Sequence, residues 1–452
     1  MHYAPTEHIE QISTQLRQGL KTSKSLAQSL AVSQPTISRA IMAMGDAVVR
    51  IGAARSIQYA IKDPSRAALQ APLYRVTPDG QLETLGTLIP VAQQGFVMLE
   101  ATGKALHSDG LPWWLYDMRP QGYLGRAYNQ RHGAALGLPE RLNDWSDSDV
   151  LRALLLEGAD LPGNLLIGTA ARDQFINSPP PQPIAAAQVP QAYVDYAAAA
   201  ARGELQGSSA AGEQPKFTAY VQHQGAMPAH VMVKFSSATA GPVSARWRDI
   251  LLAEHLALQV LNAANIPAAR SKIIDHGGQR FLEVQRFDRL GALGRRALHS
   301  LAALDAEFVG RGGRWTDICP TLRRAQAIEP EAEQGAALLW AFGTLIGNTD
   351  MHTGNLSFIS DQGRPYQLAP AYDMTPMAFA PTPSGDLPTR TLPLHIGDQV
   401  APQVWRRAQP LAQAYIRQLQ LTRGWSESFA GCISQLEQHV NEAARRIARL
   451  GD

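Results

Sequence analysis

Cysteine is almost missing from this chain: the 452 residues hold two, Cys319 and Cys432, far apart and without metal-ligand spacing. That argues against a disulfide framework or a zinc site and fits a reducing cytosol. No apolar run reaches the about 18 residues of a membrane span, and no signal-peptide core stands near the N-terminus. Neither secretion nor membrane contact is therefore expected. A dominant sign of charge is lacking too. Lys and Arg number 41 against 39 Asp and Glu, a net +2, too near neutral for the whole chain to bind nucleic acid. Any basic face must be local. Internal repeats are also absent. What is present is 45% hydrophobic and 18% charged residues, enough to bury large cores. The length suits about two to four domains.

The most informative stretch is Gly347-Asn-Thr-Asp-Met-His-Thr-Gly-Asn355, followed by Ala371-Tyr-Asp-Met374. Asp350 and Asn355 have the D-x-x-x-x-N spacing of a kinase catalytic loop, and Asp373 adds a second carboxylate. Phosphoryl transfer needs a carboxylate to orient and deprotonate a hydroxyl, and oxygen ligands to hold Mg²⁺ on phosphates. One segment offers all three: Asp350 as base, Asn355 and Asp373 as metal ligands. Residues 336–347 read as a buried helix ending at Gly347, and 356–359 with 366–368 as a hairpin. The alternative is a loop whose Asn and Asp only cap turns.

Residues 1–66 read as a separate unit. Helical pattern covers 7–20, 25–30 and 34–44, with Ser33 as N-cap and Pro35 in the first turn. Leu26, Leu30, Val32, Ile37 and Ile41 can close a small core. Gln34, Thr36, Ser38 and Arg39 stay available for base edges and phosphates. A hairpin over 48–51 and 57–61, with Arg50 and Arg55, stands where the wing of a winged helix-turn-helix would. The unit holds eight Lys/Arg against four Asp/Glu, an excess above that of the whole chain. DNA is the expected partner, a protein-interaction module the alternative. Residues 62–66 read as a linker.

Between these poles lie short strands over 73–100, an aromatic cluster at Trp113, Trp114 and Tyr116 read as core and interface packing, and a Pro-rich stretch at 178–190. Residues 207–217 are rich in small residues and end at Lys216. They form either a phosphate-cradling or a plain flexible loop. Lys234 lies on an alternating strand, 230–235. Glu254, on a helix at about 244–262, is its ion-pair partner or else a surface residue. Residues 280–289 read as a strand leading to a hinge.

In that order the pieces resemble the HipA family of bacterial serine/threonine kinases, toxins of type II toxin–antitoxin systems, over roughly residues 70–440. The matching passages are Ser209–Phe217, Val231–Phe235, Val284–Arg289, Gly347–Phe358 and Ala371–Pro376. With the winged helix-turn-helix read from residues 1–66, the resemblance implies an α+β chain that continues as a HipA-like N-terminal subdomain (70–195), a β-rich kinase N-lobe (196–290) and a helical C-lobe (291–452). It implies ATP and Mg²⁺ as cofactors, with Lys234, Lys216, Gly212, Gln214, Gln285, Phe287 and His352 on ATP. Asp350 would be the base, Asn355 and Asp373 would hold the metal, and Ser209 (or its neighbour Ser208) would be autophosphorylated. The family's hinge often carries Glu where Gln285 stands. A protein substrate is implied, an aminoacyl-tRNA synthetase or other translation component, together with an antitoxin, and a cytoplasmic or nucleoid-associated location. A helix-turn-helix fused to the kinase resembles HipA-like proteins of the YjjJ type and suits autoregulation as a homodimer on DNA. A transcription regulator with a nucleotide-sensing body, and a small-molecule kinase of the aminoglycoside type, are the competing readings.

Overall fold

A computed structural model describes residues 5–53, 56–202, 214–382, 384–388 and 392–451. The chain is mixed α+β. It opens with α1 (Pro5–Leu16), a short strand β1 (Lys21–Thr22), α2 (Ser23–Leu30) and α3 (Gln34–Met44). A capping box between Thr22 and Ser25 starts α2. Ala31 ends it in a left-handed conformation, φ 53°, with its N–H returned to the helix carbonyls. Ser33 then caps α3 by accepting from the Thr36 N–H at 3.3 Å. Strands β2 (Val48–Ile51) and β3 (Gln58–Ile61) form the hairpin, and β1 adds to β3. Ile12, Leu16, Leu26, Ile37, Ala40 and Ile61 make the core, with Leu30, Val32 and Ile41 partly buried around it. Gln34, Ser38 and Arg39 remain exposed and Thr36 half-buried, as α3 periodicity requires. Arg55 lies outside the described residues.

Residues 62–66 are not a free linker. Arg66 is buried and bonds Asp63, Gly95 O and Val91 O, with its guanidinium over the Phe96 ring. Lys62 bridges to Val91, and Val49, Ile51 and Ala60 share a core with Ile89, Val91, Val97 and Ala105. Composition hid this, because a charged Pro-containing stretch looks the same solvated or docked.

The docking partner is a five-stranded sheet in the order β7 (Ala105–Ser108), β6 (Phe96–Glu100), β5 (Leu82–Pro90), β4 (Ala71–Val76), β8 (Leu165–Ile167). Helices α4 (Gly122–Leu136), α5 (Asp147–Glu157) and α6 (Gly168–Asn177) accompany it. Trp113 packs its ring on His299 and Phe308 of the C-terminal body, as interface packing, while Trp114 packs against the core of its own domain.

Next comes a short strand, β9 (Ile184–Ala185), and α7 (Val189–Ala201). A second five-stranded sheet runs β12 (Ser271–His276), β13 (Gln279–Gln285), β11 (Ala229–Phe235), β10 (Lys216–Gln222), β9. Helix α8 (Pro242–Ala263) packs on it, and most of its residues are buried. A small pair, β14 (Arg289–Leu290) and β15 (Gly294–Arg295), follows. The remainder is mainly helical. It comprises β16 (Leu298–Ser300), α9 (Leu301–Phe308), α10 (Trp315–Arg324), α11 (Pro330–Leu345), β17 (Ser357–Ile359), β18 (Gln367–Leu368), α12 (Pro402–Leu421) and α13 (Glu427–Ile447). Trp315, Phe342, Phe358 and Trp405 are fully buried in its core. Helix α11 begins six residues before the expected 336: Pro330 opens its first turn and Glu331 and Glu333 suit the positive end of the helix dipole. Among the described residues no helix is long and apolar enough to cross a membrane.

Candidate active site

A cleft of about 960 Å³, counting its open mouth, separates the second sheet from the helical body. Strand β11 is central, hydrogen-bonded on one side to β10 and on the other to β13, so Lys234 is buried rather than solvated. Its ammonium donates to both Glu254 oxygens, at 2.7 and 2.8 Å, and to Asp373 Oδ1 at 2.7 Å. Glu254 is fully buried because its helix is apolar on both flanks of that position, which settles it as a partner and not a surface residue. Thr375 Oγ1 donates to the same carboxylate at 3.0 Å. Burial opposes the Lys234 charge, but Asp373 and then Glu254 outweigh it and raise its pKa. Burial also opposes the charge of Asp373, yet Lys234 and Lys216 hold its pKa below the ordinary value.

Lys216 stands directly opposite Lys234 in the β10–β11 register, and both are buried. Two like charges side by side on one sheet face cost stability on their own. Here they face the carboxylates of Asp373 and Glu254 and a cleft suited to an anion.

The helical body presents the rest from a tight turn. Helix α11 stops at Leu345, and Gly347 takes φ +74°, where a side chain would be strained and would press on Leu392. Asn348 then ties two segments together. Its Oδ1 accepts from the Asp350 N–H at 3.0 Å and its Nδ2 donates to the Asp373 carbonyl at 3.2 Å. Asn355 donates Nδ2 to the Asp350 carbonyl at 2.8 Å, which leaves its Oδ1 as the side-chain acceptor. Asp373 itself sits at φ 53°, a left-handed position that is strained for a residue with a side chain.

Asp350 is exposed and, like His352, does not line the cleft, although its carboxyl is partly desolvated and near enough to Asp373 and Lys234 to feel their charges. That partial desolvation first, and the charge of Asp373 next, raise its pKa despite His352, Lys234 and Asn355. A proton acceptor with a raised pKa is ionised only above that value. If Asp350 is the base, transfer rate should fall as pH drops through an inflection above the ordinary aspartate pKa of about 3.9. A rate–pH profile flat down to pH 4 would remove Asp350 from that role.

Of the residues expected from sequence, Lys216, Lys234, Gln285, Phe287, Asn355 and Asp373 line the cleft together. The Gln285 and Arg286 N–H groups are taken by Arg270 O and His230 O, so Phe287 is the next residue along with an N–H to offer a base. His352 is not in the lining. It is exposed beside Asp350, with Nδ1 accepting from the Gly354 N–H at 3.0 Å. Gln214 is half-buried ahead of β10 and does not line the cleft. Gly212, Ser208 and Ser209 lie outside the described residues. Asn348, Thr375 and Tyr372 were not singled out from sequence. Asn348 and Thr375 stand within or beside the quoted motifs, but nothing local shows that their side chains bridge segments. Among the described residues no cluster of three or more His, Cys, Asp or Glu residues could hold a metal alone.

Residues 208–448 match the family model for the HipA-like C-terminal domain, which spans over half of the chain. The chain therefore belongs to the HipA-like proteins. Residues 67–176 match the model for the middle domain of YjjJ-like toxins, and the chain is 36% identical over 445 residues to Toxin YjjJ of Escherichia coli (strain K12), covering 98% of this chain and 100% of that one. Within the HipA-like class it is thus a YjjJ-like toxin family member. Among solved structures it is similar to HipA of Shewanella oneidensis MR-1, determined with HipB and its operator DNA, at 16% identity and TM-score 0.49 over 80% of this chain and 96% of that one. It is also similar to the Helicobacter pylori proinflammatory kinase CtkA, at 15% identity and TM-score 0.40 over 53% of this chain and 94% of that one.

Proposed function

We propose that the chain is an ATP- and Mg²⁺-dependent serine/threonine protein kinase of the HipA toxin type, carrying its own DNA-binding unit. The observation that carries this is Lys234, buried between Glu254 and Asp373 at the head of a cleft that also holds Asn355. A pure nucleotide sensor has no need of a base such as Asp350 beside that cleft.

The donor set fits the metal. Mg²⁺ takes oxygen ligands, commonly one or two carboxylates with phosphate oxygens and water. Asp373 offers a carboxylate held ionised by two lysines, and Asn355 has its amide nitrogen committed, so that its oxygen is the ligand. Bound Mg²⁺ would neutralise charge on the phosphates. Lys234, with Lys216 opposite, binds the phosphate oxygens. Apolar Met232 and Val284 and the backbone at Phe287 hold the base. Asp350 orients the acceptor hydroxyl and takes its proton as that oxygen bonds to the γ-phosphorus and the bond to the ADP oxygen breaks. Ser209, in the small-residue loop, is the proposed autophosphorylation site, with Ser208 beside it.

Purified protein with Mg²⁺ and γ-labelled ATP should label itself or a protein in a cell extract. Nucleotide binding without any incorporation would instead favour the regulator that only senses nucleotide.

The N-terminal unit supports a DNA-binding reading through its exposed Gln34, Ser38 and Arg39 on a capped helix after a tight turn. Arg39→Ala should weaken DNA binding and make it less salt-dependent, the slope of log K against log [salt] falling by about one. A full-length chain with no salt-dependent DNA affinity would make the unit an interaction module. A protein substrate, an antitoxin and a homodimer on paired half-sites complete the proposal.

A further inference from the structure

A second cavity, of about 1240 Å³ counting its open mouth, lies where the first sheet meets the helical body. Asp117, Pro162 and Leu298 line both this cavity and the cleft that holds Lys234, so the two stand back to back. Phosphoryl transfer makes no use of it. Strands β4, β5 and β6 contribute Leu73, Leu85 and Met98 to its lining, and Trp113, Trp114 and Tyr366 add aromatic walls.

Two neutral polar side chains stand in this apolar lining without a partner. Asn164 is only 5% exposed, and its side-chain amide bonds none of the described residues. Its backbone is fixed. The Val76 N–H donates to its carbonyl at 2.8 Å, and the residues after it, Leu165–Ile167, pair with β4. A buried amide left unanswered costs stability, so one that lines a cavity points to a ligand. His299 is half-buried between Trp113 and Tyr366, with ring centroids 4.7 and 6.0 Å away. Its ring nitrogens likewise bond none of the described residues. Burial pushes its pKa down to about 4, so the imidazole is neutral near pH 7 and offers one donor and one acceptor.

The charges around the cavity do not suit an anion. Arg75 is the one Lys or Arg among its lining residues, and its guanidinium bonds Glu83 at 2.5 Å. Glu100 lines the cavity too and would repel a phosphate. An amide sets a donor and an acceptor side by side. The matching ligand edge carries an acceptor next to a donor, as a nucleobase does. Aromatic walls suit its flat ring.

We infer that this cavity is a second small-molecule site. It takes a flat, uncharged heteroaromatic ring of the nucleobase type, with Asn164 on the donor–acceptor edge and His299 on a further polar atom.

Calorimetric titration of the full chain with adenine, hypoxanthine, cytosine or uracil tests this, with Mg²⁺ and a non-hydrolysable ATP analogue in excess to fill the first cleft. At least one base should bind. Asn164→Leu, which keeps the volume and removes the amide, should weaken that binding by roughly tenfold or more, the loss expected for a two-bond contact. Indole has the flat ring but no acceptor beside its N–H, and it should bind the variant no worse than the wild type. His299→Phe keeps a ring in place and should also weaken the base while sparing indole; it serves if the first variant does not fold. No binding of any base beside the analogue, equal base affinity in the wild type and both variants, or an equal loss of indole would overturn the inference. A chain that binds no analogue would overturn the nucleotide reading alone, because the dependence on Asn164 is then read without it.

Discussion

Asp350→Ala should lower phosphate transfer by roughly 10² to 10⁴, the usual contribution of a general base, while Mg²⁺–nucleotide affinity changes little. The geometry makes this a clean substitution. The two hydrogen bonds that fix the turn at this position use the backbone of Asp350: its N–H donates to Asn348 and its carbonyl accepts from Asn355. Alanine keeps both. The side chain itself is exposed, so its loss opens no cavity. Removing it also relieves repulsion with Asp373, so the carboxylate proposed to hold the metal is left no weaker. Initial rates with labelled ATP, set beside a nucleotide titration, separate the two effects. Transfer at the wild-type rate would show that Asp350 is not the base, and loss of nucleotide binding would show that it belongs to the binding site instead.

Lys234→Met should have the largest structural effect at the site. Methionine fills the volume but leaves Glu254, fully buried, without its cation and facing Asp373. Breaking a buried ion pair by removing one partner costs about 3–5 kcal/mol, chiefly because a charge stays behind uncompensated. Denaturant unfolding should therefore shift well below that of the wild type, and ATP affinity should vanish. Adding Glu254→Gln removes the stranded charge. The double variant should regain part of the lost stability but no transfer, because the contact with the phosphates is still missing. A single variant as stable as the wild type would mean that the Lys234–Glu254 pair is not the anchor that its burial indicates.

Much of the site was legible because its parts are local. The five-residue step from Asp350 to Asn355 is set by one turn between a buried helix and a strand. The α3 cap at Ser33 and the β2–β3 hairpin follow from neighbours a few residues away. Lys234 was legible as a strand lysine, but its strand gave no sign of being central. Glu254 was open between ion pair and surface, since helix periodicity cannot decide a position on a helix that is apolar nearly all round. His352 was expected to face the nucleotide, yet the turn that bonds its ring to Gly354 holds it outside the cleft lining. Residues 62–66 carried the composition of a linker, and only the partners of Arg66 reveal a docked joint.

The sequence by itself determined the order of the pieces, the spacing of the chemical groups within each turn, and membership in the HipA-like class. Those depend on contacts over a few residues. The tertiary structure alone decided which groups meet across long separations: Lys234 with Asp373, Asn348 with the Asp373 segment, and Asp117 with Ser300. The physical reason is that a side chain's burial and partners are set by the face its element turns to the rest of the molecule, and packing, not local propensity, chooses that face.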